Sequence, residues 1–410
     1  MIAGPVMALE RRRRISVIVA LLGAASLVLA MTAIIASSRS TPQLRVATDR
    51  GARGEPGQLG GGALVPAGDL VSDPVFVSSS IGFALETPDR GNLAIERLAS
   101  SDDGGRTWHV TGSPFPVQWG FSALQFTSRD RGYVFGSSGL LDTADGGRSW
   151  HQVTGLSGAL ERVVPLGTDV WATYTSCPAP GVQSGCSVGV AVSSDGGGRW
   201  HDLSPPGISQ ARTGGDVLAR WSLDAAYLLS YGPTGGGLAY TGDNGRTWVH
   251  LADPCSGPYM REDLAAPPAP PGSASGLWLV CGAMTRPGEE GQPKLVYRSY
   301  DGARRWVLVA GTGFLSQDTS PVGEIPLSGW VSQLATISSY QAWLGIAGLG
   351  VIVSGDSGAT WAPVVSIPLS QPVTEVGVTF NTSMLGWAIV FRRGVWRTDN
   401  AMSWALIDGS

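Results

Sequence analysis

The sequence predicts an all-β fold: a seven-bladed β-propeller of four-stranded antiparallel blades, preceded by one amino-terminal transmembrane helix and a disordered linker. Two repeated signatures and one apolar run predict it. The first signature is the frame S/T-x-D-x-G-x-S/T-W. It reads SDDGGRTW at Ser101–Trp108, TADGGRSW at Thr143–Trp150, SSDGGGRW at Ser193–Trp200, TGDNGRTW at Thr241–Trp248, SYDGARRW at Ser299–Trp306, SGDSGATW at Ser354–Trp361 and RTDNAMSW at Arg397–Trp404. Its Asp and Trp survive in all seven copies, and successive Trp residues stand about 42 to 58 residues apart, the spacing of propeller blades. The second signature precedes each copy: an apolar strand, a short polar turn, then an aromatic or apolar strand after Gly or Ala. ALQFTSRDRGYVFG (Ala123–Gly136), LATISSYQAWLGIAG (Leu334–Gly348) and VTFNTSMLGWAIV (Val378–Val390) are examples. Period-2 alternation and β-branched content mark these as strands. Two strands from each signature make a four-stranded blade, and seven blades in a radial array hide most sheet edges.

From the amino terminus, residues 1–14 read as a basic cytoplasmic tail ending in Arg11 to Arg14. Residues 15–36 form an uninterrupted, charge-free apolar run long enough to cross a hydrocarbon core of about 30 Å. The arginines before it put the amino terminus in the cytoplasm and the propeller outside, in the cell membrane as a single-pass protein. A cleaved signal peptide is the competing reading, but its apolar core is usually about 7 to 15 residues, and the best cut, after Ala36, places Ile34 where a small residue is preferred. Residues 37–71, rich in Gly, Pro, Ser and Arg, read as a flexible linker, and residues 72–410 as the propeller.

Within each blade the repeat describes a tight hairpin whose chemistry is structural. Asp accepts hydrogen bonds from nearby backbone N–H groups, Gly supplies positive φ, and Trp anchors the gap between packed sheets. Asp103, Asp145, Asp195, Asp243, Asp301, Asp356 and Asp399 are therefore expected to cap turns, not to bind metal or move protons; seven such turns around a ring are far apart. The turns resemble the Asp-box, or bacterial neuraminidase, repeat. The paired signature, F/L-x-x-x-x-x-G-W-A followed by T-x-D-G-G-x-T-W, is more similar to the photosystem II stability/assembly-factor-like propellers. That resemblance implies the propeller fold and leaves activity open, because Asp-boxes occur in sialidases, sortilin-type receptors, xyloglucanases and assembly factors alike.

Cys177 and Cys186 flank a short Pro/Gly loop in the third blade, and Cys255 and Cys281 flank the connection into the fifth. An even count in an exported domain predicts the pairings Cys177–Cys186 and Cys255–Cys281. No C-x-x-C occurs, and His109, His151, His201 and His250 each follow a repeat Trp on an outer strand, so neither a metal nor another cofactor is expected. Net charge is −4, and Lys294 is the single lysine among 28 basic residues, which argues against a nucleic-acid surface. A P-loop, a G-x-S-x-G elbow, H-E-x-x-H and a dinucleotide fingerprint are missing from the sequence.

Binding residues concentrate on loops held by a rigid scaffold. In a propeller the blade-to-blade connections and the loops between second and third strands share one face, opposite the Asp turns. The long, irregular loops of this chain fall on that face. Candidate contacts there are Trp119, Glu161, Arg162, Arg261, Glu262, Glu324, Trp330 and Glu375. A sialidase would carry an F/Y-R-I-P strand and six blades; GEIPL at Gly323–Leu327 lacks the Arg. Glycosidase chemistry needs two carboxylates about 5 to 9.5 Å apart, and Glu324 and Glu375, read as beginning adjacent blades, are a possible pair. Two functions follow: a non-enzymatic binding or assembly propeller whose long-loop face docks a protein or extracellular polymer, or a glycoside hydrolase or lyase using carboxylates on that face.

Overall fold

The computed structural model describes residues 62–66, 70–87, 97–112, 115, 121–136, 139–156, 159–177, 186–203, 208–210, 215–220, 222–231, 237–255, 260–265, 276–283, 291–312, 323–364, 376–390 and 394–408. All of them belong to the compact unit Gln58–Ser410. The expected tail, the span at 15–36 and the linker up to residue 61 lie outside the described residues. Among the described residues, no helix is long and apolar enough to cross a membrane.

Seven separate sheets account for the strands. Blade 1 holds β1 (Leu70–Phe76), β2 (Gly82–Thr87), β3 (Arg97–Ser101) and β4 (His109–Thr111). Blade 2 holds β5 (Phe121–Phe126), β6 (Gly132–Gly136), β7 (Gly139–Thr143) and β8 (His151–Gln152). Blade 3 holds β9 (Ala159–Leu166), β10 (Asp169–Ser176), β11 (Cys186–Ser193) and β12 (His201–Leu203), with the short β13 (Ser209–Gln210) pairing on β11. Blade 4 holds β14 (Gly215–Arg220), β15 (Ala226–Tyr231), β16 (Gly237–Thr241) and β17 (Val249–Leu251). Blade 5 holds β18 (Met260–Ala265), β19 (Leu277–Ala283), β20 (Lys294–Ser299) and β21 (Val307–Gly311), with β22 (Gly323–Glu324) added in parallel on its outer edge. Blade 6 holds β23 (Trp330–Thr336), β24 (Ala342–Ala347), β25 (Gly350–Ser354) and β26 (Ala362–Pro363); blade 7 holds β27 (Val376–Phe380), β28 (Gly386–Val390), β29 (Gly394–Thr398) and β30 (Ala405–Asp408). Apart from β22, the pairings are antiparallel, and each blade runs from inner to outer strand in chain order.

The Asp turns show why this sequence folds here as it does. In the first six copies the Ser/Thr hydroxyl donates to Asp Oδ1 at 2.8–3.0 Å. The same oxygen accepts the N–H four residues beyond the Asp at 2.9 Å. Two successive residues then take positive φ: Gly104–Gly105 in the first turn, Gly302–Ala303 in the fifth and Ser357–Gly358 in the sixth. The seventh turn corrects the expectation for Asp399. There Asn400 Oδ1 accepts the Met402 and Ser403 N–H groups at 2.9 and 2.8 Å, while Asp399 pairs with Arg397 at 2.7 Å and faces solvent. Ala401 is the one residue with positive φ in that turn, so the turn is a residue shorter and the cap moves one place along.

Blades adhere through an aromatic on each second strand: Phe83, Tyr133, Trp171, Tyr227, Trp278, Trp343 and Trp387, all at most 1% exposed. Most of them meet the next blade's Asp turn. Tyr133 Oη donates to Gly196 O at 3.0 Å, and Trp387 Nε1 to Gly104 O at 3.4 Å. A Cβ on Gly245 would fall 3.4 Å from Trp171, and one on Gly358 would fall 3.3 Å from Trp278. The ring closes between blades 7 and 1 by this contact, with Trp387 stacked on Phe76 at 3.9 Å between centroids and Arg397 Nη1 donating to Ser79 O at 2.6 Å. Among the described residues, no strand is shared across the closure. Residues just before β1 instead line the outer edge of blade 1, where Val65 N–H donates to Trp108 O and Val110 N–H to Ala63 O, both at 2.9 Å.

Candidate functional site

Inner strands carry side chains that reach from one blade to the next. Arg162 on β9 donates through Nε to the Asp216 carbonyl of β14 at 3.4 Å. Asp263 Oδ2 on β18 accepts the Leu334 N–H of β23 at 2.7 Å. Gln333 Oε1 on β23 accepts the Val378 N–H of β27 at 2.8 Å. Adjacent inner strands leave backbone groups without ladder partners, and these side chains satisfy some of them.

Charge gathers along this line in blades 3 to 5. The Asp216 side chain is buried between β14 and the facing β10, and burial pushes its carboxyl up to about 6; nearby Glu161 pushes in the same direction, while Thr173 and Arg162 oppose. Enclosure also lifts Asp263 to about 6, against the Leu334 N–H and the charge of Arg162. Burial raises Glu161 from its ordinary value, opposed by the Thr175 hydroxyl at 3.4 Å and by Arg162. One guanidinium thus faces carboxylates of two neighbouring blades. Glu161 and Arg162 lie near the start of β9, beside the blade 3 loop closed by Cys177–Cys186; in the ladder Ala159 and Leu160 pair with Thr175 and Tyr174 at the end of β10. Cys255–Cys281 ties the connection after β17 to β19, where Cys281 sits opposite Glu262 of β18. Both expected disulfides are formed, and no described cysteine is free.

Of the eight sequence candidates, Glu161 and Arg162 enter this cluster. Arg261 and Glu262 occupy β18, opposite Gly282 and Cys281, with side chains outside the described set. Trp119 and Glu375 lie outside the described residues. Trp330 is exposed at the start of β23. Glu324 does not begin a blade: it is exposed on β22, at the outer edge of blade 5, so it stands away from the inner strands. Asp216 and Asp263 were missed. Their signal was an acid inside a short strand, alone in GDVLAR and next to Glu262 in MREDLA, the same signal that Glu161 gives in ALERVVPL.

A second buried charge braces the loop face. Lys294 Nζ donates to the carbonyls of Gln292, Pro326, Leu327 and Ser328 at 2.7, 3.1, 3.0 and 3.2 Å. Burial pushes its ammonium down to about 8. Gln292 adds its own N–H to Leu327 O at 3.0 Å and accepts the Val331 N–H at 2.8 Å. The connection from β22 to β23 is thereby pinned across the third strand of blade 5. Among the described residues, no group of His, Cys, Asp and Glu is arranged to hold a metal.

No protein-family model matches the chain, and no curated protein matches it. Solved structures do share its fold. YCF48 bound to a D1 peptide is 18% identical, with 82% of this chain and 95% of that one covered at a TM-score of 0.56. YCF48 from Cyanidioschyzon merolae is 18% identical, with 82% and 98% covered at 0.53. An ancestral GH74 enzyme is 16% identical, with 84% of this chain but 48% of that one covered at 0.55. The propeller is therefore similar to the assembly-factor type that the paired signature resembles, at the level of fold.

Proposed function

We propose that this protein is a membrane-anchored, extracytoplasmic binding or assembly propeller that docks a protein segment or an extracellular polymer on its long-loop face. The observation that carries this reading is the pair Glu161–Arg162, which β9 holds against the buried Asp216 and Asp263 and beside strands tied by the two disulfides and the Lys294 cage. Rigid bracing lowers the ordering cost of binding. The two disulfides support an oxidising compartment, and the basic residues before the run at 15–36 support the anchored topology. The similar fold of YCF48 bound to a D1 peptide supports a peptide-like partner over a small molecule.

Hydrolase or lyase chemistry is the weaker reading. Two carboxyls raised to about 6, both within reach of the Arg162 charge, suit acid–base work, but both Asp216 oxygens are shut from solvent, so Asp216 cannot touch a substrate. Capture from detergent-solubilised membranes, with the full-length protein as bait, tests the binding reading. Arg162→Gln, which removes the charge and keeps an N–H donor, is expected to lose the captured partner while still unfolding cooperatively above the assay temperature, with a lowered midpoint because Arg162 offsets three neighbouring carboxyls. Equal capture by wild type and Arg162→Gln would remove the site from this role. Release of oligosaccharide products from a polysaccharide panel would favour the enzyme.

A further inference from the structure

Between blades 3 and 4, three buried side chains from three strands have no protein hydrogen-bond partner: Thr173 Oγ1 on β10, both carboxylate oxygens of Asp216 on β14, and Ser230 Oγ on β15. All three residues are at most 2% exposed. They are neighbours. Asp216 and Ser230 are directly opposed in the β14–β15 ladder, which puts their side chains on one face about 5 Å apart. The Thr173 hydroxyl is directed at Asp216 and favours its ionised form as a hydrogen-bonding neighbour does, in a geometry short of a fully formed bond. The Glu161 carboxylate acts on Asp216 from β9. An isolated buried carboxylate costs several kcal/mol, and native interiors rarely leave such groups unpaired. The nearest cation, Arg162, contacts the Asp216 backbone carbonyl and not its carboxylate.

We propose that this interblade space binds a hard, oxygen-liganded cation, either sodium or calcium. Asp216 supplies the charge, Thr173 and Ser230 supply hydroxyl ligands, and Glu161 is an outer carboxylate. All the available donors are oxygens, with neither sulfur nor imidazole among them, which selects hard ions over zinc or copper. The site stitches two blades together beside the disulfide-closed loop of blade 3. It rests on packing between blades and is independent of what docks on the face.

The test is thermal unfolding of the full-length protein at pH 7.5, with NaCl or CaCl2 titrated against choline chloride at constant ionic strength. One ion is expected to raise the midpoint saturably by about 2 °C or more, since a ligand that binds only the native state stabilises it by mass action. Sodium and calcium arms decide between the two ions. Asp216→Asn should abolish the rise, and Ser230→Ala should shift it to at least about tenfold higher ion concentration. Should Asp216→Asn fail to fold, Thr173→Val serves in its place with the same expectation. No saturable response above the choline control would overturn the proposal and leave water or a proton as the occupant. So would an unchanged response in Asp216→Asn.

Discussion

At Asp216, burial links protonation to folding. The carboxyl ionises near 3.8 when the chain is unfolded and near 6 in the native structure. Between those values the native state binds more protons, so the contribution to stability is full below about 3.8 and is lost as pH rises through 6. The loss amounts to about 3 kcal/mol at most, from a shift of roughly two units. In choline buffer, Asp216→Asn should therefore match the wild type near pH 4 in urea unfolding and exceed it increasingly up to pH 7. A constant difference across that range would refute the linkage. The turn caps give the opposite sign. Partial burial pushes Asp145 up, but the Ser149 hydroxyl and N–H and the Thr143 hydroxyl outweigh it and hold Asp145 at about 2, so its stabilising contribution is lost only as pH falls towards 2. Asp145→Ala should lower stability by about 1 to 2 kcal/mol, the scale of a lost cap. In the seventh turn that cost should fall on Asn400→Ala, and Asp399→Ala should change stability by less than about 0.5 kcal/mol, because Asp399 forms an exposed pair with Arg397. Equal costs at 399 and 400 would contradict the shifted cap.

At the scale of elements, the Asp hairpins were legible because their requirements are local. A hydroxyl, a carboxylate two residues on and a pair of positive-φ positions lie within eight residues, and sequence spacing records them. The seventh hairpin misled because its Asp–Trp spacing was kept while the loop lost a residue; Asn400 does by side-chain amide what Asp does elsewhere. The charged cluster was half legible. Glu161 and Arg162 stood out as loop-face candidates but lie on β9, and their meeting with Asp216 and Asp263 depends on the order of blades around a ring, which no local pattern encodes. Glu324 was misplaced for a similar reason: a parallel two-residue strand on a blade's outer edge has no periodicity to read. The Lys294 cage is another non-local feature, and it makes a prediction for its own element. Lys294→Met keeps the side chain's length but takes the ammonium from the Gln292, Pro326 and Ser328 carbonyls and leaves Leu327 O with the Gln292 N–H. A loss of about 2 to 4 kcal/mol is expected, with faster amide exchange concentrated in residues 323–331. Uniform acceleration around the ring would mean that the lysine stabilises the whole blade and not the connection.

For the whole molecule, the question is how a ring of seven sheets stays shut without a shared strand. Each blade is built from consecutive strands, and the joint between blades 7 and 1 uses the same second-strand aromatic as its other joints, with Trp387 lying flat on Phe76 and reaching Gly104 O. Arg397 adds a hydrogen bond to Ser79 O from the same strand pair. Trp171 fills the equivalent position at the joint between blades 3 and 4, packed edge-on to Trp248 at 6.3 Å. Trp387→Ala and Trp171→Ala therefore remove comparable buried volume, and each should cost about 3 to 5 kcal/mol. They should differ in what opens. At the joint of blades 3 and 4 the chain itself runs from one blade to the next, so a cavity there loosens neighbours that remain tethered. Among the described residues, blades 7 and 1 meet through side chains and a few backbone contacts, so Trp387→Ala should let both ends of the ring exchange as a unit. Native-state hydrogen exchange reads the difference: β1 to β4 and β27 to β30 should lose protection together in Trp387→Ala and stay protected in Trp171→Ala. If both variants exchange evenly across the seven blades, the ring opens only by global unfolding and closure is not its weakest joint.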